Sequence, residues 1–182
     1  MRASLALAFL SLLPVAPLAA QQIPAGLQQR QIADLEREQR MTLAMVDSMP
    51  EALLHFKPVP VVRDFAQQIA HAAVPVAVFT FRARGGQPPE IGDSTVYLNS
   101  KAALRETVVK AYAYALQALR SFTPEEYVGT VKFARQDMPR WRVVALAHEH
   151  SVWTRGELVG YFRLNGMAPP AFDLFDTGGG ER

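Results

Sequence analysis

The chain reads as an all-α protein, a four-helix bundle with long crossover connections, and three observations lead there. Four long segments repeat apolar residues at three- and four-residue spacing, the period of a helix with one buried face. Glycine- and proline-rich stretches separate them and are long enough to carry the chain across the end of a bundle. Helix signals punctuate the chain: Asn165-Gly166 stops the last long segment, and Thr123-Pro124-Glu125-Glu126, with a capping hydroxyl, proline at the first position and glutamate at the third, starts a short turn in capping-box form.

The first twenty residues are read apart from the fold. Arg2 supplies a positive start, Ala3 to Leu13 is nearly all apolar, and Val15-Ala16-Pro17-Leu18-Ala19-Ala20 ends in small residues. This order is that of a secretory signal peptide cleaved between Ala20 and Gln21. The apolar stretch is too short for a comfortable membrane span, and Pro14 and Pro17 stand near its end. Without a cysteine after the leader, the lipoprotein route is closed and the fold must rest on core packing rather than disulfides. The expected location is periplasmic or secreted, with no stable membrane span after cleavage. Residues 21–170 then form one domain, and residues 171–182, with Gly178-Gly179-Gly180, a flexible tail.

The first helix is expected from Leu27 to Met49. Ile32, Leu35, Leu43, Val46 and Met49 lie on its apolar side, and Glu36, Arg37, Glu38 and Arg40 form a solvated face. Ser48-Met49-Pro50-Glu51 has capping-box form and starts a short segment toward Phe56. After the break at Lys57-Pro58-Val59-Pro60, the second helix carries a seam of Val62, Phe65, Ile69, Ala72, Val76 and Phe79. Pro75 lies inside it and deprives the His71 carbonyl of its helical donor, which predicts a kink or an inserted water. Residues Arg84 to Asp93 read as a crossover, and a third helix follows from Ser100 to Phe122. Val128 to Asp137 reads as a loop or a strand-like crossover. The last helix runs from Pro139 to Asn165, where Gly166 and Pro169-Pro170 stop it.

Charge excludes some partners. The chain holds 19 basic and 17 acidic residues, interleaved, for a net charge of +2 that drops to +1 when Arg2 leaves with the leader. That balance offers no footprint for nucleic acid or an anionic membrane face. No serine nucleophile elbow, phosphate loop or dinucleotide fingerprint is present. Covalent haem attachment needs cysteines that the chain lacks. A non-covalent haem on methionine and histidine has no supporting pattern beyond the presence of those residues.

The titratable candidates are His55, His71, His148 and His150. His148-Glu149-His150 looks like a metal tripeptide, but residues two apart on a helix point about 200° from each other, so one helix cannot aim both rings at one ion. His150 has its useful neighbours at Leu146, Ala147 and Thr154. His148 shares a stripe with Trp141, Val144, Val152 and Arg155, which suits a packed or surface histidine.

Two stretches resemble a known family. Met49-Pro50-Glu51-Ala52-Leu53-Leu54-His55-Phe56-Lys57-Pro58, with Val62-Arg63-Asp64-Phe65 and Ile69-Ala70-His71, is similar to the first and second helices of DinB-like proteins. Arg155-Gly156-Glu157-Leu158-Val159-Gly160-Tyr161-Phe162-Arg163-Leu164-Asn165-Gly166-Met167-Ala168-Pro169-Pro170 resembles that family's last-helix run. The resemblance implies a DinB-like four-helix bundle in which three histidines hold a divalent metal, nickel or zinc. Some members transfer or rearrange groups with small thiols, and most have no assigned reaction. Carried over by position, the metal ligands are His71 and His150, but Thr154 stands where the third histidine belongs and Glu157 where the family has glutamine.

That departure matters, because a catalytic zinc-type site uses three protein ligands and keeps one position open. Glu157 lies on nearly the face of His150 but two turns away, a long reach inward. Two functions follow as expectations. One is an exported DinB-like metal-binding protein or metal-dependent enzyme with a degenerate site. The other is a non-catalytic bundle, a binding or scaffold module that has lost the metal. A bundle without any site is a third, since fold does not dictate function. A small-molecule ligand and a homodimer paired through a helix face are both compatible with this architecture, and no nucleic-acid partner is expected.

Overall fold

The structure, a computed structural model, describes residues 24–172. The leader, its cleavage point and nearly all of the tail expected from the sequence lie outside the described residues. Four long helices form the bundle: α1 (Leu27–Ser48), α2 (Phe65–Arg84), α4 (Lys101–Arg120) and α6 (Arg140–Leu164). Between them stand the short helices α3 (Ser94–Tyr97) and α5 (Pro124–Val128) and a hairpin of β1 (Thr130–Phe133) and β2 (Gln136–Pro139).

Contacts between the helices give their directions. Gln28 Nε2 donates to the Leu119 carbonyl at 2.7 Å while Arg105 Nε reaches Asp47 at 3.0 Å, so α1 and α4 are antiparallel. Arg140 Nε donates to the Ala83 carbonyl and Gln68 Nε2 to the Thr154 carbonyl, both at 3.0 Å, which makes α2 and α6 antiparallel as well. Gln31 on Trp141 and Glu38 beside His148 set α1 parallel to α6. The chain order is therefore up-down-down-up. Only the connection from α2 to α4, which includes α3, crosses the bundle. The sequence suggested two crossovers, but the segment from Ser121 to Pro139 joins helices of opposite direction.

Local chemistry explains where the helices start. Asp64 Oδ1 accepts from the Gln67 amide at 2.8 Å and Gln67 Oε1 accepts from the Asp64 amide at 3.0 Å, a reciprocal box at the head of α2. Helix α2 thus begins at Phe65, and Val62 stands before it, 37% exposed, rather than in the seam where periodicity placed it. The box expected at Ser48 does not form: Met49 is extended and a single 3-10 turn spans Glu51–Leu53 with no side-chain cap. At Thr123 the expected box does form with Glu126. Helix α2 is continuous across Pro75.

The segment from Val128 to Asp137 folds as the antiparallel hairpin, pairing Val131 with Met138. Its turn puts Ala134 and Arg135 at φ of 47° and 70°. Neither residue is a glycine or asparagine, so the usual hairpin turn signal was missing from the sequence. Gly166, at φ of 70°, ends α6 as expected. The core joins Leu35 and Val46 of α1, Phe65, Ile69 and Val76 of α2, Leu104, Val108 and Leu119 of α4, and Leu158 and Phe162 of α6, all buried. Among the described residues, no helix is long and apolar enough to cross a membrane.

Because the Asp64 carboxylate closes the first turn of α2, Asp64→Ala is expected to lower the unfolding free energy by about 1 kcal/mol. Urea titration of the two proteins measures it, and an unchanged midpoint would mean that packing alone sets the start of α2.

Candidate functional site

Two histidines from distant parts of the chain meet on the seam between α2 and α6. The rings of His71 and His150 lie edge to face with centroids 4.8 Å apart and planes at 78°. The antiparallel register brings them level: Gln68, one turn before His71, bonds the Thr154 carbonyl one turn after His150. Phe79 lies against the His150 ring at 5.8 Å, and Phe133 of the hairpin backs Phe79 at 5.1 Å. The hairpin therefore holds one wall of the site.

Both imidazoles are biased toward the neutral form. Burial lowers the His71 pKa most, the Arg63 guanidinium and the neighbouring His150 lower it further, and Glu157 opposes them. Burial and then Arg63 lower that of His150. Arg63 is placed by its own backbone, whose carbonyl accepts a 2.6 Å bond from the Tyr161 hydroxyl of α6. A neutral imidazole has one nitrogen lone pair to offer, the form in which it binds metal. His150 Nδ1 is buried and has no hydrogen-bond partner among the described residues.

Thr154 is buried on α6 beside this pair. Glu157 comes closer than its two-turn separation from His150 suggested. Its Oε2 accepts from Gln68 Nε2 at 2.7 Å, and its charge bears on His71. That carboxylate is held by the amide, and among the described residues no three histidine, cysteine or acidic side chains are grouped to hold a metal. Two donors therefore fit a divalent metal and the third is not assembled. His55 is elsewhere, with Nδ1 3.2 Å from Asp64 Oδ2 at the head of α2.

The tripeptide splits as helical geometry requires. His150 faces α2, whereas His148 faces α1, where its Nδ1 touches Glu38 Oε1. Glu38 was read as part of a solvated face and is instead 1% exposed. Its position on the stripe Leu35, Glu38, Thr42, Met45, Met49 was the overlooked signal, since this three-four spacing matches the buried side of α1. Tyr112 of α4 joins from across the bundle. Its hydroxyl lies 2.9 Å from Ser151 Oγ and 3.4 Å from both Glu38 Oε2 and Thr42 Oγ1. Burial and the Glu38 charge push the Tyr112 pKa far up, so this hydroxyl keeps its proton. The Glu38 contact raises the His148 pKa, against the cost of burial.

A sequence model of the DinB superfamily matches residues 34–153, more than half of the chain. The match includes His71 and His150 and ends one residue before Thr154. No curated protein matches the chain significantly.

The lowered pKa values give a signed prediction. Below the ordinary histidine value of about 6.5, the unfolded chain takes up protons that folded His71 and His150 resist, so this pair costs stability as pH falls. His148 acts in the opposite sense, its contribution being complete below that value and lost as pH rises. It is common to wild type and a His71→Gln/His150→Gln variant and so drops out of their comparison. Between about pH 7.5 and about pH 5.5 the change in Tm attributable to the pair is a loss, so the variant's Tm is expected to fall less or rise more than that of wild type. Thermal denaturation at the two pH values measures this, and an equal change in both proteins would contradict it.

Proposed function

The chain belongs to the DinB superfamily, and from that premise we propose that it is an exported bundle holding a divalent metal weakly through His71 and His150. The meeting of these two rings, 4.8 Å between centroids, carries the reading. Their bias toward the neutral form and the unpartnered Nδ1 of His150 support it. Nickel and zinc are the metals that imidazole donors suit. Bound there, such an ion supplies Lewis acidity and lowers the pKa of a coordinated water or thiol. This chain's own residues would shape the surroundings: Arg63 places a positive charge beside the two rings, Gln68 restrains Glu157, and Phe79 limits access of water to His150.

Weak binding follows from the ligand count. A threonine hydroxyl is a poor donor beside imidazole, and a site of this class draws on three protein ligands. The buried Thr154 also favours a second reading, in which the metal has been lost and the bundle serves as a binding or scaffold module. Titration of tag-free protein with nickel or zinc separates the two. Weak wild-type binding that disappears in His71→Ala and in His150→Ala is expected, with Thr154→His tightening it by more than about 100-fold, beyond the loss typical of an outer-shell partner. Wild-type binding indifferent to both alanine variants overturns the metal reading. Undetectable wild-type binding restored by Thr154→His identifies the vacated site.

Export is the other part of the proposal and rests on the order of charge, apolar stretch and small residues in the leader. Mass spectrometry of the protein recovered outside the cytoplasm is expected to find Gln21 at the mature N-terminus. An intact Met1 or Arg2 in that fraction would overturn the assigned cleavage.

A further inference from the structure

The turn that leads into α2 is apolar, uncovered and flanked by cations. Between Lys57 and Arg63 the chain reads Pro58-Val59-Pro60-Val61-Val62, with no acid. The Val62 amide donates to the Val59 carbonyl at 3.3 Å and closes the turn, and Val61 between them is 92% exposed. Val59 and Val62 are exposed beside it. The Tyr161 hydroxyl, bonded to the Arg63 carbonyl at 2.6 Å, ties this turn to the C-terminal end of α6. There Leu164, one turn beyond Tyr161, is 65% exposed. Single exposed apolar residues are ordinary, but these four gather at one end of the bundle as a patch.

We propose that this end of the bundle is a membrane-contact surface, whose valine turn seats at headgroup depth in a bilayer bearing anionic phospholipid. The backbone selects the kind of partner. Pro58 and Pro60 have no N–H, so one edge of the segment lacks alternate donors and cannot pair with a strand of another protein. The Val62 amide is used inside the turn. Within Pro58–Val62, that leaves the amides of Val59 and Val61 to solvate, which water and lipid phosphate can do at the interface but the hydrocarbon core cannot. The contact is therefore shallow.

Charge selects the lipid. Lys57, Arg63 and Arg163 are exposed, and their side chains make no hydrogen bond or ion pair among the described residues. Asp64, next to Arg63, is committed to the Gln67 amide and His55, and Glu157, two turns before Leu164, to Gln68. Long cationic side chains around an apolar tip reach lipid phosphates while the tip enters the interface. The net charge of +2 concealed this arrangement, because it averages over the whole chain. Attraction to a bilayer falls off within a Debye length, so only the charges nearest the lipid count.

The experiment is cosedimentation of the full mature chain, from Gln21 on and so without the apolar leader, with large vesicles. Vesicles of phosphatidylcholine mixed with phosphatidylglycerol are expected to bind it, and phosphatidylcholine alone to bind it more weakly. Val61→Asp, at a side chain already in solvent, should weaken binding to the mixed vesicles by more than about tenfold. Lys57→Gln and Arg163→Gln should each weaken it by about fivefold. Val128 is the control, exposed at the other end of the bundle, where the Gly129 carbonyl accepts from the Arg140 amide at the start of α6. Val128→Asp should leave binding nearly unchanged. Since the chain has no cysteine, an environment-sensitive dye on Val61→Cys reports from one place, and its emission should move to the blue on the mixed vesicles. No binding to those vesicles, equal losses in Val61→Asp and Val128→Asp, or a dye unmoved by lipid would each overturn the proposal. So would a lipid-free dimer that Val61→Asp dissociates, which would assign the patch to a second copy of the chain.

Discussion

Helix α2 lies antiparallel on α6, and the lock on that register is a buried amide. Gln68 Nε2 donates both to the Thr154 carbonyl and to the Glu157 carboxylate, at 3.0 and 2.7 Å. An amide buried this deeply cannot exchange these acceptors for water, so sliding α2 by one residue would leave a polar group unsatisfied. The same slide would turn every side chain of the helix by about 100°. His71 meets His150 because this register holds. The capping box at Asp64 and the bond from Tyr161 to the Arg63 carbonyl secure the head of α2 against the same partner helix.

The two histidines of the tripeptide show how far the surroundings set side-chain chemistry. They are two residues apart on one helix and their pKa values move in opposite directions. His150 lies among another imidazole, a phenylalanine and the charge of Arg63, where a proton is unwelcome. His148 lies on a buried carboxylate that welcomes one. One flank of α6 therefore presents imidazoles biased toward the neutral form, and the other an imidazole paired with a buried carboxylate.

Polar groups inside the bundle carry a cost that the network around Tyr112 offsets. A buried carboxylate is stable only when paired and hydrogen-bonded. Glu38 meets that need with His148 and Tyr112, and the tyrosine in turn with Ser151 and Thr42. The network ties α1, α4 and α6 through directional bonds, where apolar packing alone would tolerate other alignments. It adds orientation to a core made mainly of apolar side chains.

Much of the bundle was legible along the chain because helical periodicity is a local property. The four long helices, the box at Thr123 and the stop at Gly166 follow from residues within a turn or two of each other. So does the divergence of His148 from His150. The hairpin escaped, since Ala134 and Arg135 take left-handed conformations without the residue types that announce them. The burial of Glu38 was written in its spacing but masked by its charge, and its partners stand more than seventy residues away. Sequence by itself determined the long helices and most of their apolar faces. Only the tertiary structure decided which face meets which, that Glu157 is drawn toward Gln68, and that the two flanks of α6 carry different chemistry, because hydrogen bonds and desolvation act between neighbours in space.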